Sequence, residues 1–208
     1  MNEAGAAAAW EQLASASSMT DVIAAQENID GEPVISDLTP LIGQATPEWV
    51  QQLGVPAGWQ LIDLPVEQRG AVTRLAAAGS RPDGGWEAVE TLSVFSYTGY
   101  ASFHEIADNA ACTLRDLGAL AITRRLLRVP PVRWAVAVRA EGVVNFAERQ
   151  VFTRQSNYLV GSEEPHAGRL TIHNVMVDVA ELPRWAADVD ELSAAVHAGF
   201  VNTLEAVT

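Results

Sequence analysis

The sequence predicts an α+β domain: an antiparallel β-sheet flanked by helices, with an acidic N-terminal extension. Three observations predict it. Extended segments bounded by turn residues fill the middle of the chain. Two segments, Phe103–Leu117 and Leu182–Leu204, instead carry apolar residues at helical spacing. The order of elements is a lead, strands, a helix, several strands and a closing helix, which suits an antiparallel sheet with helices packed on it.

Residues 1–18 are rich in Ala and Ser and are expected to form a flexible tail, with residues 19–208 as one domain. A short helix is expected around Asp21–Asn28, then an extended stretch at Pro33–Ile35. Thr46–Gly54 reads as a small helix capped by Thr46, with Pro47 in its first turn and Gly54 at its stop. Strands follow at Trp59–Leu64, Ala71–Ala77 and Trp86–Tyr97, the last two separated by the turn sequence SRPDGG. Phe103–Leu117 is predicted as one helix, with Ser102 and Glu105 as a capping box and Gly118 as its stop. Further strands are expected near Ala121–Val129, Arg133–Glu141, Val144–Thr153, Tyr158–Gly161 and Arg169–Val179. The closing helix carries the stripe Leu182, Trp185, Val189, Leu192, Val196 and Phe200.

A chain of 208 residues buries roughly 70% of its unfolded surface, enough for a core without staples. Its net charge of −13 argues against a general nucleic-acid binder, whose affinity comes from neutralising phosphates. Cys112 is alone, so neither an intramolecular disulfide nor a multi-cysteine metal site is expected. The opening residues lack a basic region and a lipobox, and no apolar run approaches the ~20 residues of a membrane span. The chain as written is expected to be soluble and cytoplasmic, or extracytoplasmic if it is a trimmed form.

All 13 basic residues are arginine. GC-rich coding accounts for the missing lysine, but not for the placement. The first 68 residues hold ten carboxylates and no basic group, whereas eight arginines lie between Arg115 and Arg154.

The layout resembles the LpqN-type lipoproteins of mycobacteria, whose fold is similar to the PsbP-like family. The resemblance lies in NIDGEPV at Asn28–Val34, VPAGWQLI at Val55–Ile62, VVNFAERQVF at Val143–Phe152, LTIHNVMV at Leu170–Val177 and the closing helix. It spans residues 20–205 and implies an actinobacterial origin, a sheet flanked by helices and a non-enzymatic role in binding or surface interaction. It carries no catalytic residues across, and this chain departs from it in lacking signal peptide and lipobox.

The candidate binding surface is the set Arg124, Arg128, Arg133, Arg139, Arg149 and Arg154. Arginine forms forked contacts with carboxylates and phosphates. Alternation on a strand places Arg133, Ala135, Ala137 and Arg139 on one face, with room above the alanines for an anion. The competing expectation is pairing within the chain, with Glu148, Asp116 or the acidic arm as partners. The four histidines show no metal-ligand spacing, although His104 and Asp108 could touch one helical turn apart. His173 reads as a satisfied core histidine and Cys112 as a small hydrophobe. Trp59, Trp86, Trp134 and Trp185 read as core, Trp49 as a clip onto the sheet and Trp10 as an anchor for the tail.

These readings point to a non-enzymatic binding domain without metal or cofactor, with a protein or an anionic small molecule as partner and a homodimer left open. The alternative is a small-ligand carrier or enzyme whose cup-shaped sheet brings His104, Asp108 or His173 near the arginines.

Overall fold

The computed structural model describes residues 16–27, 30–31, 34–65, 70–81, 85–132, 134–146, 149–161 and 167–205. Eight strands form one antiparallel sheet: β1 (Ile35–Pro40), β2 (Trp59–Leu61), β3 (Arg74–Ser80), β4 (Trp86–Gly99), β5 (Leu120–Leu126), β6 (Ala135–Phe146), β7 (Arg149–Val160) and β8 (Ala167–Asp178). The spatial order is β2-β3-β4-β8-β7-β6-β5, with β1 pairing the far end of β4. The helices are α1 (Met19–Ala24), α2 (Glu48–Gln51), α3 (Phe103–Asp108), α4 (Cys112–Asp116) and α5 (Leu182–Glu205).

The sheet is covered on both faces. α5, about 36 Å long at 1.5 Å per residue, lays Trp185, Val189, Leu192, Val196 and Phe200 over one face, in the periodicity its sequence shows. α1, α3 and α4 cover the other. There Met19, Ile23, Ile106 and Ala110 pack on Phe95, Val138 and Leu170, while Ala111, Leu114 and Leu117 pack on Ala140, Val144 and Phe146. Fully burying a Leu or Ile side chain contributes about 1.5–3 kcal/mol, so these stripes hold the layers together.

Several elements differ from their expected form. The expected helix Phe103–Leu117 is two helices, because Asn109 caps α3 and the chain turns so that each half serves a different apolar cluster. Ser102 does cap α3, and Gly118 takes the left-handed φ of +65° expected of its stop. The strand expected at Val144–Thr153 spans instead the tight β6–β7 hairpin, where Phe146 faces Arg149. β6 itself runs unbroken through Glu141-Gly142; a side chain at Gly142 would crowd Ala119 and Leu120. β7 likewise passes through the polar run Gln155-Ser156-Asn157, all of it buried. Ser156 and Asn157 bond to Arg139 and to the Ala110 carbonyl, so neither breaks the strand.

The first helix starts at Met19, capped by Ser18 in a reciprocal box with Asp21. Ser17 ties the lead down by bonding Asp116 (3.0 Å) and Thr113 (2.8 Å). Of the tail expected over residues 1–18, residues 1–15, Trp10 included, lie outside the described residues. α2 is capped by Pro47 without a side-chain bond, and Thr46 instead offers its carbonyl to Gln51. Trp49 lies against Gly199 of α5 and packs on the cluster that joins α5 to the sheet residues Leu92 and Val94. Trp134 is not a core strand residue. It precedes β6 in a left-handed conformation (φ +67°), 38% exposed, beside the rings of Tyr100 and Phe103.

Candidate functional site

The strand registers decide where the arginines go. Arg125, Arg139, Ser156 and His173 are successive partners across β5, β6, β7 and β8, so they share the face beneath α5. Arg154 and Glu141 form the next rung on that face. Arg124 pairs Ala140 and therefore faces the other way. Its guanidinium donates to the carbonyls of Ala107 and Asp108, closing the end of α3. The six arginines singled out in the sequence therefore do not form one continuous surface. Arg133 and the expected partner Glu148 lie outside the described residues. Arg149 opens β7 at the hairpin, and Arg128 is exposed just past β5.

Arg154 is paired within the chain, as one of the two expectations had it, though with other partners. Its Nε lies 2.7 Å from Glu141 and its Nη1 donates to Asp190 at 2.6 Å, which ties β7 to α5. Asp116 instead takes the Ser17 amide. The room expected above Ala135 and Ala137 is filled by Tyr158, Val196 and Phe200.

Arg139 is different. It is 7% exposed, donates from Nε to Ser156 Oγ at 3.0 Å, and has no carboxylate partner among the described residues. Burial draws its pKa down; nearby Tyr158 opposes that shift, and Arg154 and Arg125 add to it. Tyr158 is fully buried against Phe200 and the ring of His197. Its hydroxyl lies near Arg139 and Ser156 without a well-aligned hydrogen bond, and burial pushes its pKa up. His197 Nδ1 is also buried without a partner among the described residues. Burial lowers the His197 pKa, hydrogen bonding of the ring to the Arg128 backbone carbonyl opposes this, and the charge of Arg139 adds to the lowering.

A second polar group lies deeper in the same face. Glu90, fully buried, is 3.0 Å from Arg74 Nε and 3.1 Å from His173 Nε2. Arg74 also donates to the carbonyls of Leu53 and Gly54. His173 is a core histidine as expected, yet only half satisfied, since Nδ1 has no partner among the described residues. A shallow depression of about 400 Å³ between α2, β2 and β3 reaches Arg74 but neither Glu90 nor His173. His104 and Asp108 are exposed on the opposite face, and Asp108 looks toward Arg124 at 3.8 Å. Of the groups named for the carrier-or-enzyme alternative, Asp108 lies near Arg124 on one face and His173 lies in the Glu90–Arg74 group on the other. Among the described residues no cluster of three or more His, Cys, Asp or Glu is arranged to hold a metal ion.

The register that buries Arg139 opposite Arg125 could not be read from spacing. The available signal was the pair of short-range alternations in TRRLLR and VRWAVAVRA, which fixes faces but not neighbours.

These features define a class: an α+β domain with an eight-stranded antiparallel sheet, one long helix on one face and short helices on the other. Among solved structures, the chain is similar to LpqN of Mycobacterium tuberculosis, described as involved in cell envelope biogenesis. The TM-score is 0.61 at 12% identity, over 85% of this chain and 94% of that one. The expected LpqN-like α+β fold, an antiparallel sheet flanked by helices, is thus shown at the level of fold. No family model matches the sequence, and no curated protein does. No helix among the described residues is long and apolar enough to cross a membrane.

Proposed function

We propose that the chain is a non-enzymatic binding domain and that its partner presents an acidic, extended segment to strand β5. The observation that carries this reading is the condition of that edge. β5 ends the sheet, and among the described residues no strand pairs with its outer side. Six of its seven residues are exposed, including Leu120 at 55% and Leu126 at 69%. Unpaired edge N–H and C=O groups are a template for an added strand. A bulge at Ala121 (φ +53°) leaves residues 123–126 as the regular stretch.

Charge selects the partner. Arg124, Arg125 and the adjacent Arg128 line this edge in a chain whose net charge is −13. A second copy of β5 would bring arginines against arginines, and like charges directly opposite destabilise a ladder. Carboxylates at those positions would instead form charge-assisted hydrogen bonds. The fold shared with a protein involved in envelope biogenesis supports a surface or envelope component as that partner.

A fluorescein-labelled peptide of alternating Glu and Val, about ten residues long, tests the reading by anisotropy. Wild-type chain should bind it saturably and more weakly as salt rises. The exposed-edge variant Leu126→Asp/Arg128→Glu should bind at least about tenfold more weakly. Equal affinities would contradict the reading.

A further inference from the structure

Arg139 presents a problem that the fold itself does not solve. A guanidinium taken out of water costs several kcal/mol unless acceptors replace its hydration. Arg139 is 7% exposed; its Nε donates to the neutral Ser156 hydroxyl, the neutral Tyr158 hydroxyl is its other polar neighbour, and no carboxylate among the described residues pairs with it. Directly opposite it on β5 stands Arg125, also without a carboxylate partner among the described residues. Arg154 lies close enough to disfavour its charge further, although Glu141 and Asp190 already occupy Arg154.

Unused hydrogen-bonding capacity surrounds this excess positive charge. The Tyr158 hydroxyl, wholly buried, donates to no aligned acceptor among the described residues. His197 Nδ1 is buried on the helix side without a partner among the described residues. Buried polar atoms are nearly always satisfied, so a cluster of unsatisfied ones around an uncompensated cation signals a missing acceptor. The other buried arginine among the described residues has its acceptor in place: Arg74 has Glu90.

We infer that the corner between β5, β6 and the C-terminal half of α5 is a binding slot for one compact oxyanion, a carboxylate or a phosphate group. Arg139 would grip it with its terminal nitrogens and Tyr158 would donate its hydroxyl. Arg125 would neutralise it from the rim. The tight packing of Tyr158, Val196 and Phe200 above Ala137 leaves no space for a large ligand body at that end. The slot therefore takes a charged group, with whatever carries it remaining outside. It rests on the reading of β5 as the contact edge, because Arg125 belongs to both, and it supplies the chemistry by which an acidic segment would be anchored.

Calorimetric titration of the full chain with inorganic phosphate and, separately, with acetate tests the slot, with phosphorus NMR line width as a second readout. At least one titrant should bind in the millimolar range or tighter. Which of them binds identifies the class. Arg139→Met should weaken binding by about tenfold or more, the value of a charge-assisted hydrogen bond. Tyr158→Phe should weaken it by about threefold to tenfold. If circular dichroism shows Arg139→Met unfolded, Tyr158→Phe and the exposed Arg125→Gln carry the test. The inference is overturned if neither anion binds wild-type chain below about 10 mM, or if the folded variants bind like wild type. Peptide binding that survives in Tyr158→Phe without any phosphate or acetate affinity would remove the slot and leave the edge. Anion binding unchanged in Leu126→Asp/Arg128→Glu, with no peptide binding in wild type, would do the reverse.

Discussion

Arg139 and Arg125 stand directly opposite each other across the β5–β6 ladder, one buried and one exposed, on the face beneath α5. With no anion present, this is an unfavourable pair. Arg125→Gln should therefore raise stability slightly, by about 0.5 kcal/mol, in phosphate-free buffer of low ionic strength. The gain should shrink as salt rises, since Arg125 is exposed to screening. Denaturant melts at two salt concentrations measure it. A loss of stability would show that Arg125 already has an acceptor in the folded chain.

Glu90 joins Arg74 and His173 in the core, and its removal should be costly. Glu90→Gln leaves Arg74 buried without its charge partner, a change that typically costs about 3–5 kcal/mol. The same residue sets a pH dependence. Burial would raise the Glu90 pKa, but the contacts with His173 and Arg74 more than offset this, so the folded value lies below the ordinary one. A lowered folded pKa gives a contribution that is full above the ordinary glutamate range and is lost as pH falls through the folded value. Wild type should thus lose stability below about pH 4.5, and Glu90→Gln should lose less over the same interval. Parallel acid limbs in the two proteins would count against the network.

Tyr97 lies across Gly168, its partner on β8. A methyl group at Gly168 would overlap the ring, so Gly168→Ala should cost about 1–3 kcal/mol through overpacking. Burial pushes the Tyr97 hydroxyl up to about 12. In ultraviolet titration Tyr97 and Tyr158 should both ionise late in wild type, and one of the two late ionisations should come earlier in the variant, where the Tyr97 ring is displaced.

Trp59 and Trp185 meet edge to face at 5.9 Å, and each indole N–H is used, by Asp188 and Glu87 respectively. Trp59→Phe should lose about 1–2 kcal/mol from the hydrogen bond and the smaller ring. Near-ultraviolet circular dichroism should lose intensity with it. An unchanged melting temperature would mean that Asp188 finds another donor.

The architecture was legible where one residue property decided it. The α5 stripe, the Ser102 cap and the Gly118 stop follow from periodicity and turn chemistry, which act locally. What could not be read depends on tertiary partners. Gln155-Ser156-Asn157 resembles a loop until Arg139 and the Ala110 carbonyl take up its side chains. Glu141-Gly142 resembles a turn until Ala119 packs close to the glycine. The arginine cluster was visible as a cluster, but its division between two faces is set by the one-residue offset between Arg124 and Arg125. No spacing rule states which of the two the helix will cover.

Hydrogen exchange tests the proposed contact edge most directly. The amides of the chain are followed alone and with the acidic Glu–Val peptide at saturating concentration. Protection should appear at residues 123–126 of β5 and spread to the neighbouring part of β6, with α3, α4 and the β2 edge unchanged. Protection confined to those other elements, or none at all, would contradict the account.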